Sequence, residues 1–413
     1  MRVIATLSIA AVLWIGNCSF AEPLSHSSQK VFDASEALAE LEDLGRLDLH
    51  LAQEIAVEGN PSLKAARARV RQARERVRQA MSAWWPGLNA EASVSRVDQS
   101  ENEKLRTLAP LRALDPTADV PDPEDYYSAG LSAVWLLFDG FDRNFTIAAA
   151  RYGVDEFRAA RLESRRLILS AVAGAYYGAQ LARENIAIAE ADKRFNERQL
   201  EDARARREAG AGTLSDVLNF EVRVNAAKAE LINARRSYEL ALVGLAELLA
   251  LPRGRWPEGV QLADLTEESR EEMELPREEE LVNFALDNRP DLMQLEYALR
   301  RRESEIGSAR AVFYPQVNLS GSVNGARSNS ADFEQDDFGN TIGLSLSYNL
   351  FSGGARQARL REARESRVEA QENLQSARLA IASEVRQEVA RLQAAQAQLE
   401  LQRANAELVR RNR

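Results

Sequence analysis

Enzyme chemistry rests mostly on cysteine, histidine, clustered carboxylates and phosphate-binding glycine loops, and this chain offers little of it. Cys18 is its single cysteine, and His26 and His50 are its two histidines, all near the start. No phosphate loop, nucleophile elbow or metal-ligand spacing is present, so no enzyme activity, cofactor or metal is expected. Residues 1–21 combine a basic start at Arg2, an apolar run over 3–15, and the small residues Ser19 and Ala21 before Glu22. This is the plan of a secretory signal peptide cut after Ala21. Asn17 stands where a lipoprotein site needs a small residue, which argues against lipid on Cys18. The mature chain then has no thiol, and hence no disulfide or thiolate chemistry.

The other chemistry that charged residues could support is nucleic-acid binding. A net charge of −10, with arginines dispersed among acids, excludes the basic face that phosphates demand. Charges spread this way instead suit solvated helix faces with ion pairs one turn apart. The apolar run in the signal segment is shorter than the ~20 residues of a spanning helix, and no later run is long enough.

The elements repeat. Gly59-Asn60-Pro61-Ser62-Leu63 returns as Asn288-Arg289-Pro290-Asp291-Leu292, and Trp84-Trp85-Pro86-Gly87-Leu88-Asn89 as Phe313-Tyr314-Pro315-Gln316-Val317-Asn318, each 229 residues on (290 minus 61, 315 minus 86). Leu137-Phe138-Asp139-Gly140 returns as Leu350-Phe351-Ser352-Gly353, 213 residues on. The chain reads as a tandem duplication. Its parts are the signal peptide 1–21, a first repeat 22–251, a Pro-, Gly- and acid-rich linker 252–276, and a second repeat 277–413. Each repeat opens with a short helix (about 47–58 and 278–287) and a longer one stopped before Pro86 or Pro315, because proline disfavours helix in the residue before it.

After each of those prolines the period changes from 3.6 to 2. In strand 88–98, Leu88, Ala90, Ala92 and Val94 alternate with Asn89, Glu91, Ser93 and Ser95. In strand 126–138, Ala129, Leu131, Ala133, Trp135 and Leu137 alternate with Ser128, Gly130 and Ser132. The second repeat sets Val317, Leu319, Gly321 and Val323, then Ile342, Leu344, Leu346, Tyr348 and Leu350, against small polar residues. One such strand equally suits a half-buried soluble sheet. Four of them, with aromatics near the ends and polar loops (99–125 and 326–337), fit strands that face lipid on one side. An open four-stranded sheet in a bilayer would bare its edges, so several chains must close one barrel. Two chains would give eight strands and three give twelve; the small polar inner residues favour the wider barrel.

Between the strand pairs, residues 143–251 read as a helical hairpin. Leu167, Gly174, Leu181, Ile188 and Phe195 on the outgoing limb, with Tyr177 beside them, predict an apolar seam. Val217, Val224, Leu231, Tyr238 and Leu245 on the return limb predict its other side. On the return limb Phe220, Ala227, Ala234, Ala241 and Leu248 complete the register. At ~1.5 Å per residue the outgoing limb would reach on the order of 100 Å. The turn 209–213 is Gly-rich and follows Arg204, Arg206, Arg207 and Glu208, giving an adaptable polar end. A plain turn with Ser215 or Asp216 as the helix N-cap is the simpler alternative.

These features together resemble the TolC family of outer-membrane efflux and type I secretion channels. The likeness covers the mature chain and rests on the duplicated plan, on residues 137–140 and 350–354 at the strand exits, and on the hairpin tip 207–217. It implies a mainly α fold with a transmembrane β part. Long antiparallel coiled-coil helices would form an α-barrel, and four β-strands per chain would contribute to a shared trimeric 12-stranded β-barrel. It further implies a homotrimer in the cell outer membrane that reaches into the periplasm, with a periplasmic adaptor, an inner-membrane transporter and outer-membrane lipid as partners. Gly210, Gly212, Thr213, Leu214, Ser215 and Asp216 would form the periplasmic entrance and adaptor docking point. Leu88, Val94, Leu131, Trp135, Val317, Leu319, Leu344, Leu346 and Tyr348 would face lipid.

Two other readings compete with a passive conduit. A periplasmic adaptor also carries a helical hairpin, but needs an anchor and small β modules instead of two strand pairs. A structural coiled-coil protein would need neither signal peptide nor lipid-facing strands. The last helix, from about Gln357, has a predicted seam through Val385, Leu392, Leu399 and Ala406. Subtracting 213 places Arg413 on Leu200, so the second repeat is expected to be truncated before its turn and the chain to be a fragment.

Overall fold

A computed structural model describes residues 45–117, 119, 124–265 and 276–411. The expected signal peptide, with Cys18, lies outside the described residues, as does part of the linker. In chain order the main elements are β1 (Arg46–Leu47), α1 (Leu49–Gly59), α2 (Pro61–Ser82), β2 (Gly87–Val97), α3 (Glu101–Arg112) and β3 (Glu124–Phe138). Then come α4 (Asp142–Glu208), α5 (Leu214–Leu248), β4 (Gln261–Leu262), α6 (Glu278–Asn288), α7 (Pro290–Ala311), β5 (Gln316–Ser328), β6 (Phe338–Ser347) and α8 (Ala355–Arg411). Two compact units emerge. One joins the described residues up to Pro61 with Ile168–Leu265, and the other joins Ser62–Leu167 with residues 276–411.

The first unit is built on the α4–α5 hairpin. Its main core lies at the foot, where Leu47, Val172, Leu245, Leu249 and Leu262 are almost fully buried. Burying each such side chain contributes ~1.5–3 kcal/mol. β1 and β4 pair in parallel, Arg46 with Gln261 and Leu47 with Leu262. Three side chains of α4 hold that pair by its carbonyls: Tyr176 Oη donates to Leu47 O (3.0 Å), Gln180 Nε2 to Ala263 O (2.7 Å) and Arg183 Nη1 to Leu262 O (2.8 Å). The start of the linker is thereby ordered.

The predicted seam holds on one limb only. Val217, Val224, Leu231 and Leu245 of α5 are buried, with Ala227 and Ala234. On α4 the predicted stripe is instead open: Leu167, Tyr177, Leu181, Ile188 and Phe195 are each at least half exposed. The buried side of α4 is carried by Val172, Tyr176, Ala179, Ala189 and Ala203. Ala189 packs with Leu231 and Ala234, so small residues of α4 receive the larger ones of α5.

In the second unit, α8 packs on α6 and α7 through Leu292, Leu374 and Ile381. The ion pairs Arg289–Glu384 (2.7 Å), Arg378–Glu296 (2.9 Å) and Arg386–Glu278 (3.2 Å) flank that contact. Leu374, Ile381 and Val389 form the buried stripe of α8. Of the predicted seam, Val385 is half-buried while Leu392, Leu399 and Ala406 are exposed. No described helix is long and apolar enough to cross a membrane.

The four long strands form one antiparallel sheet in the order β2-β3-β5-β6. Three expectations need correction here. The loop after β2 contains a helix, α3, whose Pro110 sits within it. The register slips at Leu137, because Leu136 pairs with Asn318 and Phe138 with Val317. Leu137 is the bulged residue, so the alternation read through it does not continue. Finally, β6 ends at Ser347, which leaves Tyr348 one residue past the strand.

Candidate functional site

The sheet has two chemically different faces, and the register fixes which residues share each. In an antiparallel pair, directly opposed residues point to the same side. Leu88, Ala90, Ala92 and Val94 oppose Ala133, Leu131, Ala129 and Tyr127. Leu131, Ala133 and Trp135 oppose Val323, Gly321 and Leu319, and Val317, Leu319 and Gly321 oppose Leu346, Leu344 and Ile342. One apolar face therefore runs across four strands, interrupted in β6 at Asn340, which opposes Val323. It is also open: Leu88 is 70% exposed, Val94 71%, Ile342 84%, and Leu344 and Leu346 68% each. The opposite face is mostly polar and small, with Ser93 Oγ 2.8 Å from Ser128 Oγ and Ser132 opposed to Ser322, and turns apolar at Val134 and Leu136 near the exit of β3. β2 and β6 form the edges, each with one paired side.

At the exit of β3, Arg143 gathers the chain. Its Nη1 donates to Leu136 O (2.7 Å) and Ala83 O (3.2 Å), its Nη2 to Leu137 O (2.9 Å), and its guanidinium lies 4.2 Å from the Trp84 ring centroid. The Trp135 indole donates to Trp84 O at 3.0 Å, so the aromatic end of β3 is tied to the turn after α2. Arg356 is the counterpart in the second repeat, donating to Leu350 O (3.1 Å) and stacking 5.4 Å from Phe313. Neither arginine was singled out from the sequence. The 213-residue offset that matches the strand exits also matches them and could have found both.

The hairpin tip brings the six predicted residues together. Gly210 takes φ of 75°, in the left-handed region where a side chain is strained, and Ala211 N donates to Arg206 O at 2.8 Å. The N-cap of α5 is Thr213, a correction to the expected Ser215 or Asp216. Asp216 has a different part: its carboxylate accepts from Thr213 N (3.1 Å) and Oγ1 (2.6 Å), while Thr213 Oγ1 accepts from Asp216 N (3.1 Å). These bonds hold the carboxyl below the ordinary aspartate range. Leu214 and Ser215 are exposed at the start of α5. Just below, Arg204 and Glu221 join the two limbs at 2.6 Å.

No group of three or more candidate metal-ligating side chains occurs among the described residues. The profile of the outer membrane efflux protein family matches residues 53–251 and 281–412. The chain is 30% identical over 332 residues to the alkaline protease secretion protein AprF of Pseudomonas aeruginosa, covering 78% of this chain and 65% of that protein. It is 28% identical to the pyoverdine export outer membrane protein OpmQ of the same species, covering 83% and 68%. Among solved structures it is similar to the outer membrane protein VceC of Vibrio cholerae, with a TM-score of 0.67 at 23% identity over 85% of this chain and 80% of that one.

Proposed function

This chain belongs to the outer membrane efflux protein family, and from that premise we propose that it is an outer-membrane channel, the exit duct of a tripartite efflux pump or a type I secretion system. The observation that carries the reading is the sheet: one exposed apolar face in register across four strands, one polar face, and two unpaired edges. Bare backbone groups in hydrocarbon cost several kcal/mol each, so those edges must be closed by other copies. Three copies make a twelve-stranded barrel with a water-filled lumen, the apolar face toward outer-membrane lipid and the polar face toward the lumen. AprF is named for secretion and OpmQ for export, which supports a conduit in either kind of system.

The α4–α5 hairpin and α8 extend into the periplasm as the wall of an α-barrel. The exposed stripe Leu167, Leu181, Ile188 and Phe195 is the face that neighbouring helices of that wall cover. The tip at Gly210–Asp216 is the entrance, where a periplasmic adaptor docks and an inner-membrane transporter delivers substrate. The channel itself is passive and performs no catalysis. Outer-membrane fractionation with sizing in mild detergent tests the proposal: a trimer in the outer-membrane fraction is expected, and a soluble monomer would overturn it.

A further inference from the structure

Among the inward-parity positions of the four strands, one ionisable side chain lies away from the strand ends, and it is Glu91 of β2. The other charged residues of these strands are Arg96, Glu124, Asp125 and Arg327, all near the end of the sheet that carries α3 and the 329–337 loop, as are the titratable Tyr126 and Tyr127. Three of those charged residues are already paired: Arg96 with Asp125 at 3.7 Å, and Arg327 with Glu334 and Asp337 at 3.3 Å each. Glu91 is exposed and has no ion pair with any described residue.

The pairing register sets what surrounds it. Glu91 opposes Gly130, Gly130 opposes Asn324, and Asn324 opposes Gly339. Two of the three residues level with the carboxylate are thus glycines. At Gly130 the Asn324 side chain fills the space over the glycine, since a Cβ there would lie 2.2 Å from Asn324 Oδ1 and would make that amide turn aside. Asn324 in turn leans along its own strand, its Nδ2 donating to Ser322 Oγ at 3.2 Å. No cation and no bulky group in this row screens Glu91.

Closure of the barrel would not screen it either. The strand that must come to lie beside β2 is the other free edge, β6 of a second copy, and Phe338–Ser347 contains no ionisable residue. Threefold symmetry then places three Glu91 carboxylates at one level of the lumen. Rings of acidic side chains are how water-filled pores favour cations.

We propose that Glu91 sets the charge preference of the barrel lumen, so that cations pass the exit duct more readily than anions of similar size. This rests on the channel reading and deepens it. The preference is screened over ~10 Å at 0.1 M salt, so it is largest at low ionic strength.

The test is the reversal potential of the purified full-length trimer in planar bilayers under a KCl gradient, for the native protein, Glu91→Gln and Glu91→Lys. The native channel is expected to be cation-selective. Glu91→Gln should lower the cation-to-anion permeability ratio roughly twofold or more, and Glu91→Lys should lower it further, the shifts fading at high salt. As a second measurement, Glu91→Cys in a chain whose Cys18 is removed provides a unique thiol. A charged, membrane-impermeant thiosulfonate should label it and change conductance. Equal reversal potentials for all three forms, or a thiol at position 91 that the reagent cannot reach, would overturn the assignment while leaving the channel intact. A trimer that conducts no ions would overturn the channel reading and this inference with it.

Discussion

Arg143 Nε lies 2.9 Å from Asp139 Oδ2 with both side chains almost wholly buried. The approach is an ion pair without hydrogen-bond alignment at Nε, since the guanidinium spends its Nη donors on the three carbonyls of Ala83, Leu136 and Leu137. Asp139 Oδ2 also accepts from Arg143 N at 3.0 Å, which caps the first turn of α4. In the second repeat Ser352 stands where Asp139 stands in the first, and Arg356 Nε and Nη1 are buried without a partner. The strand exit is therefore neutralised in one repeat and not in the other.

Removing the carboxylate should expose that difference. Asp139→Ala leaves a buried cation uncompensated and is expected to cost about 3 kcal/mol or more. Ser352→Asp should act in the opposite sense, supplying the second repeat with the missing charge. The temperature at which the purified protein loses its helical signal in detergent compares the two, and a Ser352→Asp protein less stable than the parent would refute the reading of Arg356.

Sidedness of the sheet gives a second expectation. Arginine at Leu344 or Leu346 should cost ~2–4 kcal/mol near the bilayer midplane and reduce insertion into the outer membrane. Arginine at Ser345, one residue along and on the polar face, should insert normally and alter conductance. Equal insertion of all three proteins would show that the two faces do not differ in solvent.

At the tip, Thr213→Ala should destabilise the start of α5 by ~1 kcal/mol, because both bonds of the Thr213 hydroxyl are lost, the one it donates to the Asp216 carboxylate and the one it accepts from Asp216 N. The sign of its pH dependence follows from Asp216, whose carboxyl is held low in the folded protein. Its contribution is full above the unfolded aspartate range and is lost as pH falls through the folded value. The penalty of Thr213→Ala should accordingly shrink in acid, as read by hydrogen exchange of the α5 amides at two pH values.

Bulky residues at Gly212, Leu214 or Ser215 should abolish adaptor capture in a pull-down while the trimer persists. At Gly212 the space is limited, since a Cβ would lie 3.0 Å from Arg207 N. Loss of the trimer together with capture would make the tip a structural element only.

How far the sequence could be read depended on which neighbour decides a residue's environment. Strand parity was legible because alternation is local: Leu88 to Val94 and Val317 to Val323 each declare a face without reference to the partner strand. The bulge at Leu137 was not, because the apolar run continues through it and only the pairing of Phe138 with Val317 reveals the slip. α3 was hidden by its polar composition and internal Pro110. The heptad stripe on α4 was real as a stripe, yet spacing does not say what covers it. Ala179 and Ala189 pack against α5, where small side chains allow close helix approach, and Leu181, Ile188 and Phe195 are left open. The clasp of Tyr176 on Leu47, 129 residues apart, leaves no local signal at all.

The central claim is that edge β2 of one copy closes on edge β6 of another. Past Cys18 the chain contains no cysteine, so disulfides can be placed at will. Pairs with one cysteine at Ala90 or Ala92 and the other at Ile342 or Leu344 sample the registers that bring the two edges within disulfide reach. Mild oxidation in outer membranes followed by non-reducing electrophoresis should give covalent dimers and trimers for at least one pair, with single-cysteine controls remaining monomeric. A protein that stays monomeric across the whole set, despite reaching the outer membrane, would contradict a barrel shared between copies.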